Sequence, residues 1–122
     1  MKKESRILVA GAGTFIGAAV AGALRDQGYR HVVDDVSAGV ALSRAAEVEG
    51  LFAQHAPEYV FLAAGKSGGI MANEQRPADL MLDNLLIDAC VVSAAHRHGV
   101  AKLLYLASAC CYPKHAEQPM RV

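Results

Sequence analysis

An α/β fold with a doubly wound parallel sheet is what this 122-residue chain predicts. Three observations lead there. Apolar, strand-like runs alternate with helix-forming stretches, which is the pattern of β-α-β units. Three of the apolar runs end in glycine-rich or small polar loops: Arg6–Ala10 before Gly11-Ala12-Gly13, Tyr59–Ala63 before Ala64-Gly65, and Lys102–Ala107 before Ser108. In an open parallel sheet, the crevice at the carboxyl ends of the strands is where ligands bind.

The elements follow in order. Arg6–Ala10 is a short apolar strand. Phe15–Gln27 is alanine-rich and helix-forming, and Gly28 ends it. His31–Val33 is a brief strand running into Asp34-Asp35, and 36–43 carries no clear signal. Ala45–His55 reads as a helix, with Val48, Leu51 and Phe52 at i, i+3 and i+4, and Pro57 closes it. Tyr59–Ala63 is a third strand, and 64–76 a long loop with Gly65, Gly68 and Gly69. Pro77 opens a long helix with a stripe of Met81, Leu85, Ala89, Val92 and Ala95, capped by Gly99. Lys102–Ala107 is the last strand. Numbered in chain order, the strands are expected as 3-2-1-4, the first half of a Rossmann-type sheet, with right-handed crossovers. The long helix would then cross the switch point between strands 1 and 4.

Bulk composition narrows the classes. One domain fits the length, and folding would bury roughly two-thirds of the unfolded surface. Hydrophobic residues make up 53%, which suits strands covered on both faces. Twelve basic and twelve acidic residues cancel, so no field steers the chain to nucleic acid or membrane. Cys90, Cys110 and Cys111 show no metal-ligand spacing; reduced thiols in the cytoplasm are the simplest reading. Met1-Lys2-Lys3 before the uncharged run Ile7–Leu24 imitates a signal peptide or a short span. Glycines at 11, 13 and 17 argue for a turn inside that run, and Glu4 breaks the basic flank.

Two strings carry chemistry. Gly11-Ala12-Gly13-Thr14-Phe15-Ile16-Gly17 lies between a strand and a helix, where a pyrophosphate meets amide N–H groups and the positive helix end. Its GxGxxxG spacing departs from GxGxxG, with Thr14 where glycine is usual and where it would narrow a phosphate's approach. Asp34 and Asp35 follow the second strand about 20 residues later. They are either acceptors for the adenosine ribose hydroxyls, favouring NAD over NADP, or solvated loop acids; both readings stand. Ser108 and Cys110 share a face of an extended segment, so a hydroxyl and a thiol address one ligand. Cys111 should point away and serve packing, Cys90 should sit in the helix core, and His96 and His98 should complement a helix C-terminus. Asn84 is either a surface residue or faces the crevice.

At these residues the chain resembles the GDP-L-fucose synthase family, extended short-chain dehydrogenase/reductases that epimerise and then reduce a GDP-4-keto-6-deoxy sugar with NADPH. The matching strings are Val60–Ile70 with Met71-Ala72-Asn73, Arg76-Pro77-Ala78-Asp79, Asn84-Leu85, Lys102–Lys114 with its Ser-x-Cys-x-Tyr-Pro-Lys motif, and Gln118-Pro119-Met120. The resemblance implies that Ser108 positions the keto sugar and that Cys110 is the epimerisation base. It implies that Leu62-Ala63-Ala64 and Leu106-Ala107-Ser108 line the cofactor, NADP or NAD, and that the partner is a nucleotide sugar. Tyr112 is followed by Ala116, not by the lysine of the family's Tyr-x-x-x-Lys pair, and Asp34-Asp35 stand where the family is basic. Residues 1–122 are thus expected to be a partial dinucleotide-binding domain without the sugar-nucleotide domain, inactive alone. Its open sheet edge would drive homo-oligomerisation. The rivals are a non-enzymatic dinucleotide-binding or interaction module and another sugar-nucleotide epimerase or dehydratase.

Overall fold

Ile7, Leu8 and Val9 have no polar side chain to offer solvent, and strand β1 (Arg6–Ala10) is buried on both faces. In the computed structural model, which describes residues 1–108, 111–113, 115–117 and 119, β1 is central to a four-stranded parallel sheet. Strand β2 (His31–Asp34) pairs with it from Arg6↔His31 to Val9↔Asp34. Strand β3 (Tyr59–Leu62) pairs on the other side, from Ile7↔Tyr59 to Ala10↔Leu62. Strand β4 (Lys102–Tyr105) pairs with β3, Tyr59↔Lys102 to Leu62↔Tyr105.

The order is therefore β2-β1-β3-β4, and the expected 3-2-1-4 is corrected. The reason lies in residues 34–44. Asp34 accepts from the Ser37 amide and caps a one-turn helix, α2 (Asp35–Ala38), which Gly39 ends at φ +68. The chain turns out of the sheet there, and among the described residues no strand joins β2's outer side. The next crossover, helix α3 (Ala45–His55), carries the chain back past β1. The reversal of direction, and with it the crevice, falls between β1 and β3. Because right-handed crossovers in opposite directions land on opposite faces, helix α1 (Phe15–Asp26) and α3 cover different sides. Ile7 and Val9 pack with Ala21 and Leu24 of α1. Leu8 and Ala10 pack with Val48, Leu51 and Phe52 of α3.

Helix α5 (Pro77–Arg97) joins β3 to β4 on the α3 side and does not cross the switch point. Its buried residues are Ile87, Val91, Ala94 and Ala95; Met81, Leu85 and Val92 of the expected stripe are exposed. Leu80 to Ile87 is apolar at almost every position, so period alone picks no face. Residues 64–76, expected as loop, contain helix α4 (Gly69–Gln75), where Met71 to Gln75 outweigh the preceding glycines. The uncharged run 7–24 is divided by a turn into β1 and α1, as its glycines predict. Among the described residues, no helix is long and apolar enough to cross a membrane.

Candidate functional site

The glycine loop is built by contact. Gly11 has φ +101, and a Cβ there would lie 2.3 Å from the Ala64 nitrogen, so only glycine lets β1 and β3 end this close together. A Cβ on Gly17 would lie 2.0 Å from the Gly11 carbonyl oxygen. Thr14 fills the space between. Its Oγ1 caps α1 by accepting from the Gly17 amide at 3.0 Å, and the hydroxyl is within donating distance of both the Gly11 and Ala63 carbonyl oxygens, at 2.8 and 3.1 Å. The departure from the usual glycine is thus a cap with a cross-strand tie. Phe15 and Ile16 stand exposed at the first turn, whose amides have no intrahelical acceptor. That leaves an open cradle for an anionic group between backbone walls.

The two acids beyond β2 part ways. Asp34 is buried and turned to Arg25, 2.6 Å away, in a groove beside β2. Burial alone pushes its carboxyl up; the Ser37 amide and the Arg25 guanidinium outweigh that and hold it below the ordinary value. A carboxyl depressed on folding stabilises above its unfolded pKa, and that stability is lost as pH falls through the folded value. The denaturation midpoint should therefore drop below about pH 4, and Asp34→Asn should flatten that drop in urea melts run between pH 3 and 6. Asp35 goes inward: its Oδ1 accepts from the Gly11 and Ala12 amides at 2.8 and 3.0 Å.

At the ends of β3 and β4 the chain is pinned in the same manner. The Ala63 amide donates to Ala10, and the Leu106 amide to Leu62. Asn84 on α5 accepts from the Lys66 amide at 2.7 Å and donates to the Lys66 carbonyl at 3.0 Å, which places it at the crevice and not on open surface. Lys66 Nζ meets Asp83 at 2.6 Å. Tyr105 donates to Asp88 at 2.9 Å, and that bond, with burial and the nearby negative charge, raises the phenol pKa. Sequence reasoning does not single out Tyr105 and Asp88; their only signal is a polar atom in an otherwise apolar strand and helix.

One open cleft of about 530 Å³ takes in the ends of β1, β3 and β4. It brings together Thr14, Phe15 and Ile16, the stretch Ala63–Ser67, Asn84 with Asp88, and Tyr105, Leu106 and Ser108. Leu62 is fully buried beneath it and Ala107 is exposed beside Leu106. Gly11 and Gly17 pack against the backbone at Ala64 and against each other next to Thr14, Gly13 lies beside Val36, and Gly11, Ala12, Gly13, Gly17 and Asp34 do not line the cleft. Cys110 lies outside the described residues. Cys111 is exposed, not packed, with its amide donating to Ser108, and Cys90 packs against the core. His98 and Arg97 end α5 by pairing with Glu49 of α3.

Comparison with known proteins agrees with this geometry. The sequence profile described as the NAD dependent epimerase/dehydratase family matches residues 7–122. GDP-L-fucose synthase 1 of Arabidopsis thaliana is 46% identical over 118 residues, 97% of this chain and 36% of that protein. GDP-L-fucose synthase of Escherichia coli K12 is 38% identical over 117 residues, 96% of this chain and 36% of that protein. Among solved structures, one named DdhaC superposes with TM-score 0.91 at 40% identity over 98% of this chain and 35% of its own. A GDP-D-glycero-L-gluco-heptose synthase from Campylobacter jejuni, solved in the presence of NADPH, gives 0.90 at 30% identity over 99% and 35%. The chain thus spans little more than a third of the length of the relatives it matches.

Proposed function

The chain belongs to the NAD dependent epimerase/dehydratase family, and from that premise we propose that it is the cofactor-binding part of a GDP-sugar epimerase/reductase of the GDP-L-fucose synthase kind. One observation carries the reading: a single cleft joins the glycine loop, the end of β3 and Ser108. The residues fit a dinucleotide. The walls at Gly11 and Gly17 exclude any side chain, and Phe15 and Ile16 at the first turn of α1 are exposed. When bound, the nicotinamide supplies the hydride that reduces a sugar carbonyl.

The chain's own residues divide the remaining tasks. Gly11–Gly17 holds the diphosphate, with Thr14 fixing the loop. Ala63 and Ala64 with Leu106 form the apolar wall that keeps water from the ring, with Leu62 packed beneath them and Ala107 beside Leu106. Ser108 donates a hydrogen bond to the substrate's carbonyl oxygen, polarising it. Cys110, two residues on, takes the proton beside that carbonyl during epimerisation, as its thiolate. The substrate is a nucleotide sugar, and the setting is cytoplasmic. Exposed Met81, Leu85 and Val92 on α5, with Ile70 and Met71 on α4, support association of two copies of this chain.

A second reading, a dinucleotide-binding module without catalysis, would use the cradle at the close-packed Gly11 and Gly17 alone.

Calorimetry with NAD and NADP tests the shared premise. Saturable heat with at least one of them is expected. No heat with either at millimolar ligand would remove both readings.

A further inference from the structure

We propose that Asp35 makes this site selective for a dinucleotide with an unphosphorylated adenosine ribose, NAD in preference to NADP. The inference rests on the dinucleotide reading above and deepens it. It runs against the expectation from the Campylobacter jejuni neighbour, which was solved with NADPH.

Four observations support it. First, Asp35 is held in place: one carboxylate oxygen takes the Gly11 and Ala12 amides, so the group cannot swing away from the loop. Second, its other oxygen has no partner among the described residues, while a carboxylate has room for about four hydrogen bonds. That oxygen is at the carboxyl end of β2, where an acid receives the ribose hydroxyls. Third, among the described residues, the cations nearest this end of the sheet are already engaged. Arg25 pairs with Asp34, Arg44 with Glu47 and Lys66 with Asp83, while Arg30 and His31 meet Glu4 at the opposite end of β2. Fourth, Val36 follows Asp35, largely exposed, and its Cγ2 lies 3.3 Å from where a Cβ on Gly13 would be. It gives an apolar surface for the adenine beside the acid.

A ribose brings two donors to this oxygen. A 2′-phosphate brings about 1.5 to 2 negative charges to it instead. Repulsion at that range, partly screened, corresponds to about tenfold or more in affinity.

The test is calorimetry of the 122-residue chain with NAD and NADP, repeated on Asp35→Asn. Asparagine keeps an acceptor for the two loop amides and removes the charge. The expected result is NAD about tenfold tighter in the unsubstituted chain, with the ratio falling toward one in the variant. Should the variant fold poorly, competition in the unsubstituted chain serves: ADP is expected to bind more tightly than adenosine 2′,5′-bisphosphate. NADP binding as tightly as NAD, or a ratio unmoved by Asp35→Asn, overturns the inference and leaves the dinucleotide site standing. Binding of neither dinucleotide overturns both.

Discussion

Gly17→Ala is expected to cost the chain about 3 kcal/mol or more of stability and to abolish dinucleotide binding. The added Cβ would sit 2.0 Å from the Gly11 carbonyl oxygen and 2.6 Å from its carbon. Both are backbone atoms at the end of the central strand, so no side chain can swing aside. Relief requires α1 to shift away from β1, which breaks the Thr14 cap and opens the cradle. The control lies five residues along the same helix. Gly22 has nothing within 4 Å of its Cβ position, so Gly22→Ala should stabilise by about 0.5–1 kcal/mol through helix propensity. Urea melts of the two variants should move in opposite directions. A Gly17→Ala protein as stable as the parent would mean that the loop is not packed as described.

Phe52→Ala should be nearly as damaging, at about 3–5 kcal/mol. Phe52 is fully buried on α3 among Leu8, Val60, Leu62 and Val91, where α3 and α5 meet the sheet. Its ring also lies 5.7 Å from the His98 ring, beside the Glu49 pairing that joins the two helices. A cavity there leaves both helices short of contacts, and small domains hold only about 5–15 kcal/mol in total. Thermal melting followed by circular dichroism should show a large drop in midpoint, with Phe52→Leu clearly milder. An alanine variant melting with the parent would place the core elsewhere.

The sequence shows the elements better than their arrangement. The strands stand out because β1 and β3 are apolar and short, and the helix ends are marked by Gly28, Pro57, Pro77 and Gly99, whose conformational limits are local. Strand order is not local. Right-handed crossovers fit 3-2-1-4 and 2-1-3-4 alike, and what decides is whether residues 34–44 extend a sheet or leave it. Asp34 as a helix cap and Gly39 in the left-handed region make them leave. The α5 face is hidden for another reason: with apolar residues around the whole helix, burial is set by what α3 presents. At the site, the glycine spacing is legible because close backbone approach tolerates one residue type. Asp34 and Asp35 look equivalent in sequence, yet neighbouring positions leave a strand on opposite sides, so one reaches Arg25 and the other the loop. The Tyr105–Asp88 pair depends on a helix and a strand meeting, and no spacing announces that.

The Thr14 hydroxyl touches three backbone groups, one just past β1, one just past β3 and one in the first turn of α1. Such a stitch fixes the geometry of the cradle during folding, before any ligand arrives, so little ordering entropy is left to spend on capture. It also divides the crevice mechanically. The β1 and β3 rims are sewn together and act as a fixed jaw. The opposite rim, at Lys66 and Tyr105, is held by exposed side-chain bonds to α5. Accommodation of a bulky ligand would therefore come from that rim, with the phosphate-facing loop serving as the datum against which it moves.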